Sequence, residues 1–205
     1  MKTKMLLLLT LTIASFLFHS GVSAKVPEPF AGIAIPLSDA GDNWNNGFAL
    51  GVRFPLENTR HGNWSVITSF QQFNPNVEGM LETGGMEFKM EQSEGTSRHF
   101  ELSLVGDRNI VKLTKWNLGL RLEYGAGIFL VSDAEVHVKG CYHTSTTKLT
   151  REIYRKADVV AAPGITVGGT VNMAFGANVV IHYQHLFTAD PSRGLFLIGL
   201  GFSPF

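Results

Sequence analysis

The sequence predicts an all-β protein, namely an eight-stranded antiparallel up-and-down transmembrane β-barrel. The stretch 173–187 indicates this most clearly: its odd positions from Met173 to Phe187 are apolar except for His185, whereas its even positions include several polar residues. A period of two indicates a strand with two chemically different faces. Ordinary strands have about 5 or 6 residues, but a tilted strand that crosses a bilayer needs about 9 to 11.

The composition is a second indication. Charged residues make up 17% of the chain, below the roughly 25% of soluble domains, so part of the surface is expected to face something other than water. Lysine plus arginine and aspartate plus glutamate both number 17. This balance gives no long-range field for nucleic acid, which is therefore not expected as a partner.

The first 24 residues predict a secretory signal peptide. Lys2 and Lys4 precede the apolar run 5–18, and small residues precede a cleavage point after Ala24. Residues 25–205 then form one outer-membrane β-barrel domain. Because Cys141 is the sole cysteine, no internal disulfide is predicted, and export without disulfides is typical of the envelope of a Gram-negative bacterium.

The first four predicted strands are 30–37, 47–56, 64–71 and 99–104, and each sets one apolar face against smaller or polar residues. Their apolar faces consist, in order, of Ile33, Ile35 and Leu37; of Phe48, Leu50, Val52, Phe54 and Leu56; of Trp64, Val66, Thr68 and Phe70; and of Phe100, Leu102 and Leu104. The connection 73–97 is polar and rich in glycine, with a short alternating stretch that favours a hairpin arm clear of the barrel.

The last four predicted strands are 116–130, 158–168, 173–187 and 195–202. Even positions from Trp116 to Leu130 form the cleanest apolar face of the chain, and the connection 133–156 is expected to be a long polar loop. Pro163 removes one ladder donor and predicts a local bulge. No helical period appears in 25–205, so the chain is expected to form an antiparallel meander.

The lengths of the connections favour a membrane barrel. Long polar connections alternate with short turns, so the long ones gather at one end, as the external loops of outer-membrane barrels do. A soluble, lipocalin-like ligand carrier would also show alternating strands behind a signal peptide. The less apolar face, however, is mostly glycine, alanine, serine and asparagine, which suits a crowded interior better than a wet exterior.

Aromatic residues provide an independent test of the membrane interpretation. Running the strands alternately up and down assigns them to two heights, with aliphatic residues between. One predicted girdle, at the short-turn end, contains Phe54, Trp64, Trp116, Phe175 and Phe202, and the other, at the long-loop end, contains Phe48, Phe70, Phe100, Phe187 and Phe196. Two such girdles are typical of a bilayer, because amphipathic rings prefer its interfaces.

Over the mature chain the sequence resembles the small eight-stranded outer-membrane barrels of the OmpA, OmpX and opacity-protein type. The segments that carry this resemblance are Ala31-Gly-Ile-Ala-Ile-Pro36, Gly47-Phe-Ala-Leu-Gly51, Tyr124-Gly-Ala-Gly-Ile128, Ala162-Pro-Gly-Ile165 and Ile198-Gly-Leu-Gly-Phe202. The resemblance implies a closed barrel and recognition of a C-terminal aromatic residue by the barrel-assembly machinery. Either Phe202 or Phe205 is in place for that role.

Charged residues on the less apolar face predict an ion-pair network in the lumen. Its members are Arg53, Glu101, Arg121 and Glu123, with Asp158 as a further candidate. Folding about a turn at 106–114 is expected to bring Glu101 close to Arg121. Because an eight-stranded barrel has no room for an aqueous channel, the network is interpreted as structural, with an ion or proton path as the alternative.

Basic residues of the external loops are expected to face lipopolysaccharide phosphates. They are Arg98, Lys139, Lys148, Arg151, Arg155, Lys156 and Arg193. His137, Cys141 and His143 share one loop, but their spacing fits no standard metal site. No metal and no cofactor are therefore predicted.

The function predicted from these features is that of a non-enzymatic outer-membrane protein. Its external loops would serve surface interaction or envelope integrity, with outer-membrane lipid, lipopolysaccharide and a host or surface ligand as partners. The alternative is a lipid A deacylase-like hydrolase, because Tyr183-Gln-His185 resembles part of that family's site. That family needs a serine two residues further on, where this chain has Phe187.

Overall fold

The computed structural model describes residues 26–37, 39–56, 63–81, 88–113, 118–143, 148–173, 176–188 and 193–202. The predicted signal peptide, 1–24, lies outside the described residues, as do Trp116, Phe175 and Phe205.

Eleven strands and two short helices are present in the described residues. The strands are β1 (Glu28–Leu37), β2 (Gly47–Pro55), β3 (Asn63–Phe73), β4 (Phe88–Glu94), β5 (Ser97–Leu113), β6 (Leu118–Asp133), β7 (Val136–His143), β8 (Lys148–Arg155), β9 (Asp158–Asn172), β10 (Ala177–Leu186) and β11 (Arg193–Phe202). The helices are α1 (Asp39–Asn43) and α2 (Val77–Leu81). Neither helix is long and apolar enough to cross a membrane.

Eight of the strands close into an antiparallel barrel in the order β1-β11-β10-β9-β6-β5-β3-β2. Each barrel strand pairs with the barrel strands before and after it in sequence, and β1 closes the sheet on β11 with Ile33 opposite Ile198. Closure leaves no unpaired edge along the wall, which a barrel in lipid requires because lipid offers no hydrogen-bond partner. The predicted fold class, an eight-stranded up-and-down barrel, is confirmed.

The hairpin β5–β6 is longer than the sequence predicted. The segment 106–114, expected to be a turn, continues β5 as far as Leu113, and among the described residues the β5–β6 register shifts once, between Asn109 and Val111. The bulge predicted at Pro163 is wrong, because β6 and β9 keep their register there with Ile128 opposite Pro163. Pro163 accepts a hydrogen bond from the Phe187 amide. The side of Pro163 that lacks an N–H donor therefore faces the end of β10, where the β9–β10 ladder stops.

The long connections between β3 and β5 and between β6 and β9 fold into a cap at one end of the barrel. β4, β7 and β8 form a separate three-stranded sheet, so 133–156 is a hairpin rather than a polar loop. β4 pairs with β7 instead of forming an arm of its own. Met80 and Leu81 of α2 are buried together with Val136 and Val138 of β7. The cap thus has a small apolar core.

Helices α1 and α2 tie the β1–β2 connection to the β3–β4 connection. The Asn76 amide donates to the Asn43 carbonyl, and the Asn76 side chain donates to the Gly41 carbonyl. Gly79 lies so close to α1 that a Cβ there would sit 2.0 Å from the Asp42 carbonyl oxygen. Only glycine permits this approach.

The wall of the barrel is apolar outside and largely polar inside. Leu50, Leu122, Ile128 and Leu200 are exposed on the outer face. The buried inward positions include Ser65, Ser69, Gln71, Ser103, Thr166 and Gln184. A lipocalin-like carrier would need the reverse distribution, with an apolar cavity and a wet exterior.

Candidate functional site

The lumen holds a cluster centred on Glu123, whose side chain is 0% exposed. The Arg53 guanidinium donates to one carboxylate oxygen, and the His182 Nε2 lies 2.6 Å from the same oxygen. The Thr170 hydroxyl donates to the other oxygen at 2.7 Å. These residues belong to β2, β6, β9 and β10, so the cluster joins opposite walls of the barrel.

A glycine beside the cluster makes room for the His182 ring. Gly168 precedes Thr170 on the inward face of β9, and a Cβ at that position would lie 2.8 Å from the His182 ring and 2.1 Å from the Ile181 carbonyl oxygen. The absent side chain leaves the space that the imidazole occupies. A buried carboxylate is tolerated only when paired and hydrogen-bonded, and here three different donors surround it.

Arg121 lies on the short-turn side of the cluster and is 14% exposed. Its Nη2 is 3.4 Å from a Glu28 carboxylate oxygen and 3.2 Å from the Asn172 side-chain oxygen, while its Nε is 4.0 Å from Glu123. Glu28 was missed at the sequence level because the first strand was predicted to begin at Phe30. The inward positions of β1 from Phe30 to Ala34 repeat every two residues, and extending this pattern back by two residues reaches Glu28.

Glu101 forms no ion pair with any described residue, and the predicted contact with Arg121 is wrong. Its carboxylate is 1% exposed and accepts hydrogen bonds from side chains alone. The donors are Ser69 at 2.7 Å, Ser103 at 2.7 Å, Gln184 at 2.8 Å and Thr166 at 3.3 Å.

The position of the β5–β6 turn explains this error. The true register sets Glu101 opposite Phe129, whereas Arg121 is opposite Asn109. Phe129 and Arg121 are eight residues apart on β6, which amounts to about 26 Å along a strand. The predicted network is therefore divided: Arg53, Arg121 and Glu123 lie together near one end of the lumen, and Glu101 lies further toward the cap. Asp158 is exposed and outside both groups.

Ser97, His99 and Asp133 meet at the cap end of the lumen, a grouping that the sequence analysis missed. The Ser97 hydroxyl donates to Asp133 and lies 3.1 Å from the His99 Nε2. The arrangement is not that of a hydrolase triad, in which the carboxylate holds the other ring nitrogen of the histidine. Here the His99 Nδ1 has no hydrogen-bond partner, and Arg193 holds Asp133 with a 2.7 Å ion pair.

Arg193 therefore does not face lipopolysaccharide as predicted. It is the first residue of β11 and shares the inward phase of Leu195 and Leu197, so its guanidinium turns into the mouth of the barrel and meets Asp133. Since the charges of this pair offset one another, Arg193 adds little positive charge to the rim.

Of the other residues predicted to face lipopolysaccharide, one lies on the outer wall and the rest lie on the cap strands or directly after them. Arg98 is exposed on the outer wall, and Arg155 and Lys156 are exposed at the end of β8. Lys139 is half-buried on β7. Lys148 and Arg151 belong to β8, but their side chains lie outside the described part of the structure.

The cap surface carries acidic partners as well as basic residues. The His137 Nε2 is 2.6 Å from a Glu152 carboxylate oxygen, and the Tyr154 hydroxyl donates to Glu135. The hydrogen bond to this carboxylate raises the pKa of Tyr154. No group of three metal-ligating side chains forms among the described residues, and Cys141 is buried in the cap.

His185 lies on the outer wall close to the long-loop end. Its Nδ1 is 3.2 Å from the Tyr183 hydroxyl, and its ring is 4.8 Å from that of Phe187. These contacts place the imidazole among aromatic residues, an environment that is typical of side chains at a membrane interface. The described surroundings of His185 offer no serine nucleophile to a hydrolase.

The closed barrel, its apolar wall and its filled polar lumen define the architecture of the small eight-stranded outer-membrane barrels. The N-terminal β-barrel domain of Pseudomonas aeruginosa OprF shares this fold, with a TM-score of 0.50 at 8% sequence identity over 88% of this chain and 98% of that domain. Ail of Yersinia pestis (TM-score 0.46, 17% identity, 86% of this chain and 96% of Ail) and Neisserial surface protein A (0.46, 10%, 87% and 96%) are also similar. The sequence matches no protein-family model and no curated protein.

Proposed function

We propose that this protein is a non-enzymatic outer-membrane barrel whose folded cap mediates surface interaction or supports the integrity of the envelope. The observation that carries the proposal is the distribution of side chains on the two faces of the wall. Apolar residues such as Leu122, Ile128 and Leu200 are exposed outside, while the inward carboxylates of Glu101 and Glu123 are fully enclosed. An exposed apolar band of this kind suits lipid rather than water.

The filled lumen supports a role other than transport. The Gln71 amide donates to the Gln184 side chain at 2.7 Å across the interior, and Arg193 pairs with Asp133 at the mouth. The interior of an eight-stranded barrel is just wide enough for side chains from its walls to fill. The part of the molecule available for partners is then the cap, with Tyr154, Glu152 and Arg155 exposed on β8.

The proposed partners are outer-membrane lipid and lipopolysaccharide around the wall, a host or surface ligand at the cap, and the barrel-assembly machinery during insertion. Export by a signal peptide cleaved after Ala24 belongs to the same proposal, as does recognition of Phe202 or Phe205 by the assembly machinery. Phe202 lies on the outer face at the short-turn end of β11.

Cell fractionation combined with a heat-modifiability gel tests the location. The expected result is a protein in the outer-membrane fraction that migrates differently before and after boiling, and recovery in the soluble periplasmic fraction would contradict it. Adhesion and antibiotic-permeability assays test the role of the cap. A variant with Glu152, Tyr154 and Arg155 replaced by serine should keep the heat-modifiable barrel but lose the surface phenotype, whereas an unchanged phenotype would exclude the β8 surface.

A further inference from the structure

We propose that the outer wall holds a binding site for a phosphate-bearing anionic lipid, with the head group on Arg98 and an acyl chain in an adjoining apolar groove. The groove crosses strands β11, β1, β2, β3 and β5 and has a volume of about 690 Å³. The proposal rests on the membrane location proposed above and names a lipid partner of the wall.

Differences in side-chain size along one row of the sheet create the groove. Leu200, Ala31, Leu50, Phe70 and Phe100 lie opposite one another on five neighbouring strands. Ala31 is the small member of this row, so the wall is low between two leucines. The lining is almost wholly apolar, which suits a hydrocarbon chain and offers nothing to a polar ligand.

The next outward row toward the cap consists of Ile198, Ile33, Phe48, Gln72 and Arg98, so it is polar only on β3 and β5, at the edge of the groove. Gln72 and Arg98 lie opposite one another, two residues beyond Phe70 and Phe100 on the same faces, a step of about 7 Å along the strands. The Arg98 Nε donates to the Gln72 side-chain oxygen at 3.3 Å. This contact orients the guanidinium, and no described carboxylate forms an ion pair with it.

The order of these groups matches that of an anionic lipid at a membrane surface. Arginine forms strong charge-assisted hydrogen bonds with phosphate, and aromatic residues prefer the interface directly below the head groups. Phe70 and Phe100 lie directly below Gln72 and Arg98 on β3 and β5, and Phe48, which is paired with Gln72, contacts Phe70 with ring centroids 6.0 Å apart. A zwitterionic lipid would fill the same groove, but its head group carries no net negative charge to pair with Arg98.

Native mass spectrometry of the purified protein in a maltoside detergent tests the site. The probes are phosphatidylglycerol, phosphatidylcholine with the same acyl chains, and inorganic phosphate alone. The expected result is an approximately tenfold preference for phosphatidylglycerol over phosphatidylcholine and no retention of inorganic phosphate. Equal retention of the two lipids, or binding of phosphate without a chain, would overturn the proposal.

Two matched pairs of variants locate the binding. Arg98→Gln should abolish the preference between the two lipids, whereas Arg108→Gln, at an exposed arginine of the same strand near the other end, should keep it. Ala31→Phe should fill the groove and weaken retention of both lipids, whereas Ala126→Phe, at an exposed alanine of β6, should not. Equal effects within either pair would show that general surface charge or hydrophobicity is responsible and would overturn the site.

Fractionation of cells separates this proposal from the one on which it rests. A protein found in the outer membrane that shows no lipid preference in vitro refutes the lipid site and leaves the membrane location intact. A protein found in the periplasm refutes both.

Discussion

Replacing Arg53 by methionine should destabilise the barrel far more than the same replacement of Arg121. Arg53 is 4% exposed and forms the direct ion pair with Glu123, which is 0% exposed. Breaking a buried pair from one side costs about 3 to 5 kcal/mol, and the Glu123 carboxylate would keep only the His182 ring and the Thr170 hydroxyl as partners. Methionine retains most of the volume of the arginine side chain, so the loss reflects the charge more than a cavity.

Arg121 provides the matched control. It is 14% exposed, its partner Glu28 is 12% exposed, and it approaches Glu123 only to 4.0 Å. Partly solvated pairs contribute at most about 1 kcal/mol. The two arginines therefore differ by roughly 2 to 4 kcal/mol in the expected loss, although both point into the same lumen.

Equilibrium unfolding in urea, with the protein inserted in lipid vesicles, measures the difference. Tryptophan fluorescence follows unfolding, and the gel shift on boiling confirms that each variant was folded at the start. Glu123→Gln combined with Arg53→Met should recover part of the free energy of unfolding, since no unpaired charge remains. Equal losses for the two arginine variants, or no recovery in the double variant, would refute the account of the lumen given above.

Three further changes test other parts of the structure. Leu120→Arg puts a charge on the lipid-facing wall and should cost about 2 to 4 kcal/mol in vesicle unfolding; a normal free energy of unfolding would mean that this face does not contact lipid. Glu101→Gln should cost less than 1 kcal/mol or so, because it breaks no ion pair and the hydroxyl groups around it can turn to accept from the amide; a loss as large as that of Arg53→Met would reveal a hidden cation. Glu135→Gln should lower the pKa of Tyr154 toward its ordinary value, since the carboxylate now raises it; an unchanged tyrosinate absorbance titration would contradict the hydrogen bond between them.

Alternation along the strands was enough to predict which residues face the lumen. Arg53, Glu101, Arg121 and Glu123 all occupy inward positions, because side chains in a strand point to the two faces in turn. The outward aliphatic and aromatic residues follow from the same rule. These predictions need only the phase of each strand, which a few neighbouring residues define.

The cap could not be predicted in the same way. Its strands β4, β7 and β8 are short, and the residues of 88–94 find their partners in 136–143. Asn43 and Asn76 join α1 and α2 across a further gap in sequence. Even the alternating stretch that becomes β4 does not reveal its partner, because the stability of the cap comes from tertiary contacts between connections that look polar when considered one at a time.

Partners inside the lumen depend on the stagger of the whole barrel rather than on any single strand. Gln71 and Gln184 are 113 residues apart in sequence, and Arg53 and Glu123 are 70 apart, yet each pair meets across the narrow interior. An error in one turn displaces every inward residue beyond it along the wall, as happened for Glu101. Because inward residues repeat every second position, a displacement by an even number of residues keeps all of them inward while it exchanges their partners. Sequence patterns therefore predict the composition of such a lumen well and its pairing poorly, and double-mutant cycles across the barrel measure the part that they leave open.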